Sequence, residues 1–331
     1  MVTDTRIRIL GYIRTHKQAR AHDLVKVFGI SQVAIHKQLK NLLNKGEITR
    51  VGKPPLVFYV PKEKKEEIEA DMPADIKKVI DKNYLYISPV GELLYGFEGF
   101  STWAKSVKEE KRLSKLAIEY ANTLNHFKKH FQTNNWIDAT KKLRTTFDKT
   151  YVNKLLYADF YSLPKFGKTK LGQLVLYAKQ SQNRELINQI VTLINPLIQK
   201  IVQEFSIEAV VFIPPTVPRI LQFMNELEIN LNLKLPSIEL VKVATGEVVV
   251  AQKTLARLEE RIINARDTIF MKNDEYPYRN VLLIDDAAGS GSTFNETAKK
   301  LKRVLTDKNK NRIIAFAIVG SFKGFDVIRE V

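Results

Sequence analysis

Val281-Leu282-Leu283-Ile284-Asp285-Asp286-Ala287-Ala288-Gly289-Ser290-Gly291-Ser292-Thr293 is the stretch on which the reading of this 331-residue chain turns. Its four leading apolar residues have the pattern of a strand buried on both faces. Two carboxylates follow at the strand's end, then a loop of small residues, then a helical pattern from Phe294 to Leu305. Small residues let the backbone approach an anion. Their N–H groups, the hydroxyls of Ser290, Ser292 and Thr293, and the helix dipole can then hold a phosphate. Gly291 is expected to leave the space that the anion's oxygens need. Asp285 and Asp286 can accept hydrogen bonds from a ribose diol, and the C-terminal edge of a parallel sheet is where such ligands bind. A P-loop is excluded, because no Gly-Lys-Ser/Thr follows. A dinucleotide fingerprint is excluded too, because the acids precede the glycines. The competing reading is a Gly/Ser turn that joins strand to helix and binds nothing.

Working outward, residues 151–331 alternate between helical and strand patterns. Leu171 to Tyr177, Leu186 to Phe205, Leu221 to Leu227 and Lys253 to Arg266 read as helices. Ala209 to Ile213, Ile238 to Val243, Val281 to Ile284 and Ile313 to Val319 read as strands. Continuous apolar strands between helices indicate an α/β fold with a parallel sheet covered on both faces.

The segment 281–293 resembles the phosphoribosyl-pyrophosphate (PRPP) signature of type I phosphoribosyltransferases. That resemblance implies that Gly289 to Thr293 bind the 5-phosphate, with Ala287 and Ala288 beside them as ligand-binding residues. It also implies that Asp285 and Asp286 contact the ribose hydroxyls, with Asp286 a candidate acid/base, and that Mg²⁺ accompanies PRPP without a tightly held metal. Gln252, Leu255, Arg261 and Asn264, spaced Q-x2-L-x5-R-x2-N, together with Leu163-Pro164-Lys165-Phe166-Gly167, are similar to the competence protein ComF family. The likeness spans roughly residues 155–320. Two departures stand out. The chain has no cysteine for the zinc ribbon usual in that family, and its expected pyrophosphate loop, Pro214-Pro215-Thr216-Val217-Pro218-Arg219, has three prolines and no glycine. Pro215, Thr216 and Arg219 are the candidate contacts there. Lys253, Arg257 and Arg261, spaced i, i+4, i+8, are either cations for the diphosphate or a solvated face. Phe325 is either a base-stacking ring or core.

The N-terminal fifth is strongly basic. The whole chain carries 53 Lys and Arg against 36 Asp and Glu, or +17. Residues 1–62 hold twelve basic and three acidic residues, or +9. Such a module points to a polyanionic partner, nucleic acid before membrane. Ile7, Leu10 and Ile13 mark a helix, His22 to Phe28 a second, and Ser31 caps a third that carries Ile35, Leu39, Leu42 and Leu43 on one face. Two β-like runs around Gly52-Lys53-Pro54-Pro55 read as a hairpin. Residues 4–61 resemble a winged helix-turn-helix. That likeness would place Ser31, Gln32, Val33, His36, Lys37 and Lys40 in the major groove and Arg50 and Lys53 on the wing. Lys62 to Glu67, six consecutive charges, marks a linker. The expected domains are therefore 1–62, a connector over 63–150 with an aromatic hairpin and helices, and 151–331.

The absence of an ~18-residue apolar run or a leader-like N-terminus leads us to expect a cytoplasmic protein without membrane contact. Two functions remain open. One is a nucleic-acid-binding regulator or effector that senses PRPP or a related nucleotide, laid out like the winged-helix purine repressors. The other is an enzyme that transfers a phosphoribosyl group or cleaves an N-glycosidic bond. Similar fusions accompany reverse transcriptases in retron anti-phage systems, which makes a reverse transcriptase bound to its RNA–DNA product a candidate partner. A homodimer is the candidate assembly.

Overall fold

The computed structural model describes residues 5–53, 56–61, 72–89, 91–215, 217, 219–243, 258–306 and 310–325. The chain divides into two compact units, 1–72 and 73–331. The charged run 62–67 lies outside the described residues.

The described residues of unit 1 form three helices, α1 (Thr5–His16), α2 (Ala21–Phe28) and α3 (Gln32–Asn44), followed by the antiparallel hairpin β1 (Ile48–Lys53) and β2 (Leu56–Pro61). The turn between α2 and α3 needs a left-handed residue. Gly29 supplies it at φ +64°, and its N–H donates to the Val25 carbonyl at 3.0 Å. Ser31 then caps α3, accepting from the Ala34 N–H at 3.3 Å. The apolar faces of the helices close on one core of Ile9, Ile13, Leu24, Ile35, Leu39, Leu42, Ile48 and Tyr59. In α1 the buried pair is Ile9 and Ile13, while Ile7 is exposed, so its stripe is rotated from the expected one. Ala19 exchanges both backbone hydrogen bonds with Tyr59 at 2.8 and 2.9 Å, tying the α1–α2 link to the hairpin.

Unit 2 is mixed α/β. It opens with α4 (Ala74–Asn83), the short antiparallel pair β3 (Leu85–Ile87) and β4 (Leu93–Tyr95), α5 (Gly96–Ser106), α6 (Leu113–Lys128), β5 (Ile137–Asp138) and α7 (Thr140–Thr146). Then come β6 (Lys154–Phe160), the two-residue strands β7 (Ser162–Leu163) and β8 (Gly167–Lys168), α8 (Lys170–Ser181) and α9 (Arg184–Glu204). β9 (Ala209–Phe212), α10 (Phe223–Leu231), β10 (Leu240–Lys242), α11 (Leu258–Thr268), β11 (Ile269–Met271), β12 (Asn280–Ala288), α12 (Ser292–Val304) and β13 (Arg312–Gly320) complete it.

The main sheet runs β5-β6-β13-β12-β9. Four strands are parallel, and β5 is an antiparallel edge, so the sheet is mostly rather than wholly parallel. Leu156, Val210, Leu282, Ile284, Ile314 and Phe316 pack with Ile187, Ile190, Ile194 and Leu227 of α9 and α10 in one core. Alternate residues point to the other face, where Leu143 of α7 and Leu155 of β6 both approach Gly291.

Of the segment 63–150 expected as a connector, residues 73–150 belong to this second unit. β5 pairs with β6, and Phe166 packs against Trp103 and Tyr120 with ring centroids 5.6 and 5.3 Å apart. Among the described residues no helix is long and apolar enough to cross a membrane.

Candidate anion site and candidate nucleic-acid face

A cavity of about 460 Å³ opens at the C-terminal ends of β9 and β12. That volume suits a ligand the size of a nucleotide or sugar phosphate. The whole segment 285–293 lines it, with Pro215 and Arg219 from the loop after β9 and Arg261 from α11. Thr216, Lys253 and Arg257, like Gln252 and Leu255, lie outside the described residues.

Three further wall residues arrive from distant parts of the chain: Tyr161 after β6, Lys179 on α8 and Lys242 on β10. No motif in the sequence marks them. Lys179 carries a signal nonetheless. It stands four residues after buried Val175, at the border of the stripe of Leu171, Leu174 and Ala178, so that its side chain reaches along the buried face.

Lys179 Nζ donates to Asp286 Oδ2, and the Asp286 side chain is only 14% exposed. The Asp286 N–H donates to Asp285 Oδ1 at 2.8 Å. The two neighbouring carboxyls therefore part company. Burial, reinforced by the charge of Asp286, holds the Asp285 carboxyl well above the usual carboxylate range. Burial pushes Asp286 the same way, but the Lys179 ammonium outweighs it and keeps Asp286 low. Burial pushes the Lys242 ammonium down, with Asp285 opposing.

The loop itself is preformed. Ser292 N–H and Ser290 Oγ, 3.4 Å apart, and the two serine hydroxyls, 3.2 Å apart, close it on itself, and Gly291 leads into α12 at φ +86°. The first turn of α12 has no intrahelical partner for its N–H groups, and its end faces the cavity through Thr293 and Phe294.

Gly291 does something other than expected. A Cβ there would lie 2.4 Å from Leu143 Cδ1, so the residue faces inward and is required by packing and by its positive φ. Gly289 is the glycine on the cavity side, where a Cβ would stand 3.6 Å from Arg261 Nη1. Phe325 does not reach the cavity. It joins an aromatic cluster with Phe160, Phe322 and His130, at centroid distances of 5.1, 6.2 and 5.5 Å.

On unit 1, Ser31, Gln32, Val33, His36, Lys37 and Lys40 are all exposed, opposite buried Ile35, Leu39 and Leu42. Val33 is 79% exposed, an apolar side chain offered to solvent on a polar face. Arg50 on β1 is exposed too; the Lys53 side chain lies outside the described residues.

Compared with protein-family models and with curated proteins, the sequence matches none.

Proposed function

We propose that this chain is a nucleic-acid-binding protein whose second unit is a type I phosphoribosyltransferase-like site for PRPP or a related nucleotide, acting as a ligand-responsive regulator or effector. One observation carries the reading. The PRPP-like segment 285–293 lines a single nucleotide-sized cavity together with Lys179, Arg219, Lys242 and Arg261. Among the described lining residues, four cations against two carboxylates leave a positive excess, which favours a multiply charged anion. In this reading the loop N–H groups and hydroxyls take the 5-phosphate, Asp285 and Asp286 the ribose hydroxyls, and the four cations the diphosphate.

Unit 1 is read as a winged helix on its three helices, the Ala19–Tyr59 pairing and the hairpin. α3 would enter the major groove, with its exposed polar face toward the bases. The cavity supports the sensor role through its proline-bound loop after β9, which offers no glycine for close approach to a leaving diphosphate.

The enzyme reading is favoured by a different feature: a carboxyl pushed up by burial beside one kept low by the Lys179 ammonium is the arrangement of an acid/base pair. Incubation with PRPP and a panel of bases separates the two readings, following pyrophosphate release and heat of binding together. The sensor reading expects heat without pyrophosphate. Pyrophosphate release that Asp286→Asn abolishes while binding persists would establish the enzyme.

The residues do not fit a resident divalent cation. Mg²⁺ sits on one or two carboxylates plus substrate phosphates, but here Asp286 is engaged by an ammonium and Asp285 is held toward its neutral form. Among the described residues no three His, Cys, Asp or Glu side chains gather into a ligand set.

A further inference from the structure

The cavity's charge pattern carries a consequence that rests on the PRPP reading. We propose that this site binds its diphosphate ester without Mg²⁺, the cradle of Lys179, Arg219, Lys242 and Arg261 supplying the charge that the ion would otherwise bring. A divalent cation at a phosphate site has two tasks. It offsets repulsion among phosphate oxygens, and it bridges those oxygens to the protein's carboxylates.

Both tasks are already assigned to side chains here. Bridging needs an open carboxylate. Asp286 offers one oxygen to Lys179 Nζ instead, and this ion pair lies on the cavity wall. Asp285 accepts the Asp286 N–H at 2.8 Å and is held toward its neutral form, a weak ligand for a hard cation. Offsetting repulsion needs cations on more than one side. Lys179 comes from α8, Arg219 from the loop after β9, Lys242 from β10 and Arg261 from α11, so they surround the space from four separate elements. Arg261 approaches the phosphate loop at Gly289, and Arg219 lies near enough to Lys179 for their charges to oppose. Asp286 already offsets part of that repulsion, and an anion bound between the cations would turn the rest into attraction.

Calorimetric titration of the full chain with PRPP, once in EDTA and once in millimolar Mg²⁺, tests this. The expected dissociation constants agree within about threefold. Affinity at least tenfold weaker in EDTA overturns the inference and leaves the PRPP reading standing. No heat in either buffer overturns the PRPP reading, and the inference falls with it. Lys179→Met frees Asp286 for a metal, so its affinity in EDTA is expected to fall at least tenfold and to recover in part with Mg²⁺. Lys242→Met repeats the test away from the ion pair, should the first variant not fold. Wild-type affinity in EDTA for a folded variant overturns the inference.

Discussion

α3 of unit 1 and the sheet-edge cavity of unit 2 both gather cations, and they do so in opposite surroundings. Lys37 and Lys40 stand in water, where their attraction to an anion is weak and screened by salt. Lys179 and Lys242 are half-buried on a cavity wall, where each charge acts more strongly than in open water and must be balanced. The first arrangement suits a polymer of phosphates met by several weak contacts. The second suits one compact anion held from several sides. The two regions should therefore fail differently under mutation, salt and pH.

The largest effect is expected at the joint between the phosphate loop and the core. Gly291→Val forces a β-branched residue to a positive φ and drives its Cβ into Leu143. Unit 2 should lose about 3 kcal/mol. Both tryptophans, Trp103 and Trp136, lie in this unit, so their fluorescence during denaturant unfolding reads it. An unchanged midpoint would contradict the inward-facing role.

Gly289→Val is the complementary change, with its side chain entering the cavity beside Arg261. The fold should survive while PRPP affinity falls at least tenfold, about 1.4 kcal/mol. Calorimetry that shows full affinity would remove the anion from this loop.

Lys142 sharpens the comparison because it is a buried cation in neither region. Its Nζ donates to the Ser321 carbonyl at 2.7 Å and lies 5.8 Å from the Tyr157 and Phe325 rings. Burial pushes its ammonium down to about 8. Between that value and the ordinary one near 10.5 the unfolded chain binds more protons, so stability rises with pH across this window. Lys142→Met should stabilise the protein by about 1 kcal/mol at pH 7. The advantage should shrink as pH climbs from 8 toward 10.5. An advantage that stays constant across that range would show that no buried charge is being relieved.

The smallest effect in free energy is expected on α3. Replacing Lys37 and Lys40 by alanine should lower the slope of log affinity for duplex DNA against log salt by about 0.9 for each phosphate no longer neutralised. PRPP binding should not change. A slope equal to wild type would turn α3 away from nucleic acid.

The same contrast explains what the sequence makes legible. α3 and the phosphate loop are each written in one short window. Capping by Ser31, the glycine turn and the strand–acid–loop–helix order can be read there because neighbours in sequence decide them. The cavity's other walls depend on sheet order. Lys179 stands 107 residues before Asp286 and meets it because α8 and β12 belong to one layered unit. β6 escapes a pattern search because Asp159 cuts its apolar run to four residues, and β5 because two residues make no pattern. Sequence marks Gly291 for the right residue type and the wrong side, since it does not say which way an α-hydrogen points.

Hydrogen–deuterium exchange on the full chain, with PRPP and with duplex DNA added separately, tests the division of labour most directly. PRPP should protect amides most strongly over 285–294 and DNA most strongly over 31–53, with any effect of either ligand on the other segment smaller. PRPP that protects nothing over 285–294, or that protects α3 in its place, would contradict the assignment of the anion to the sheet edge.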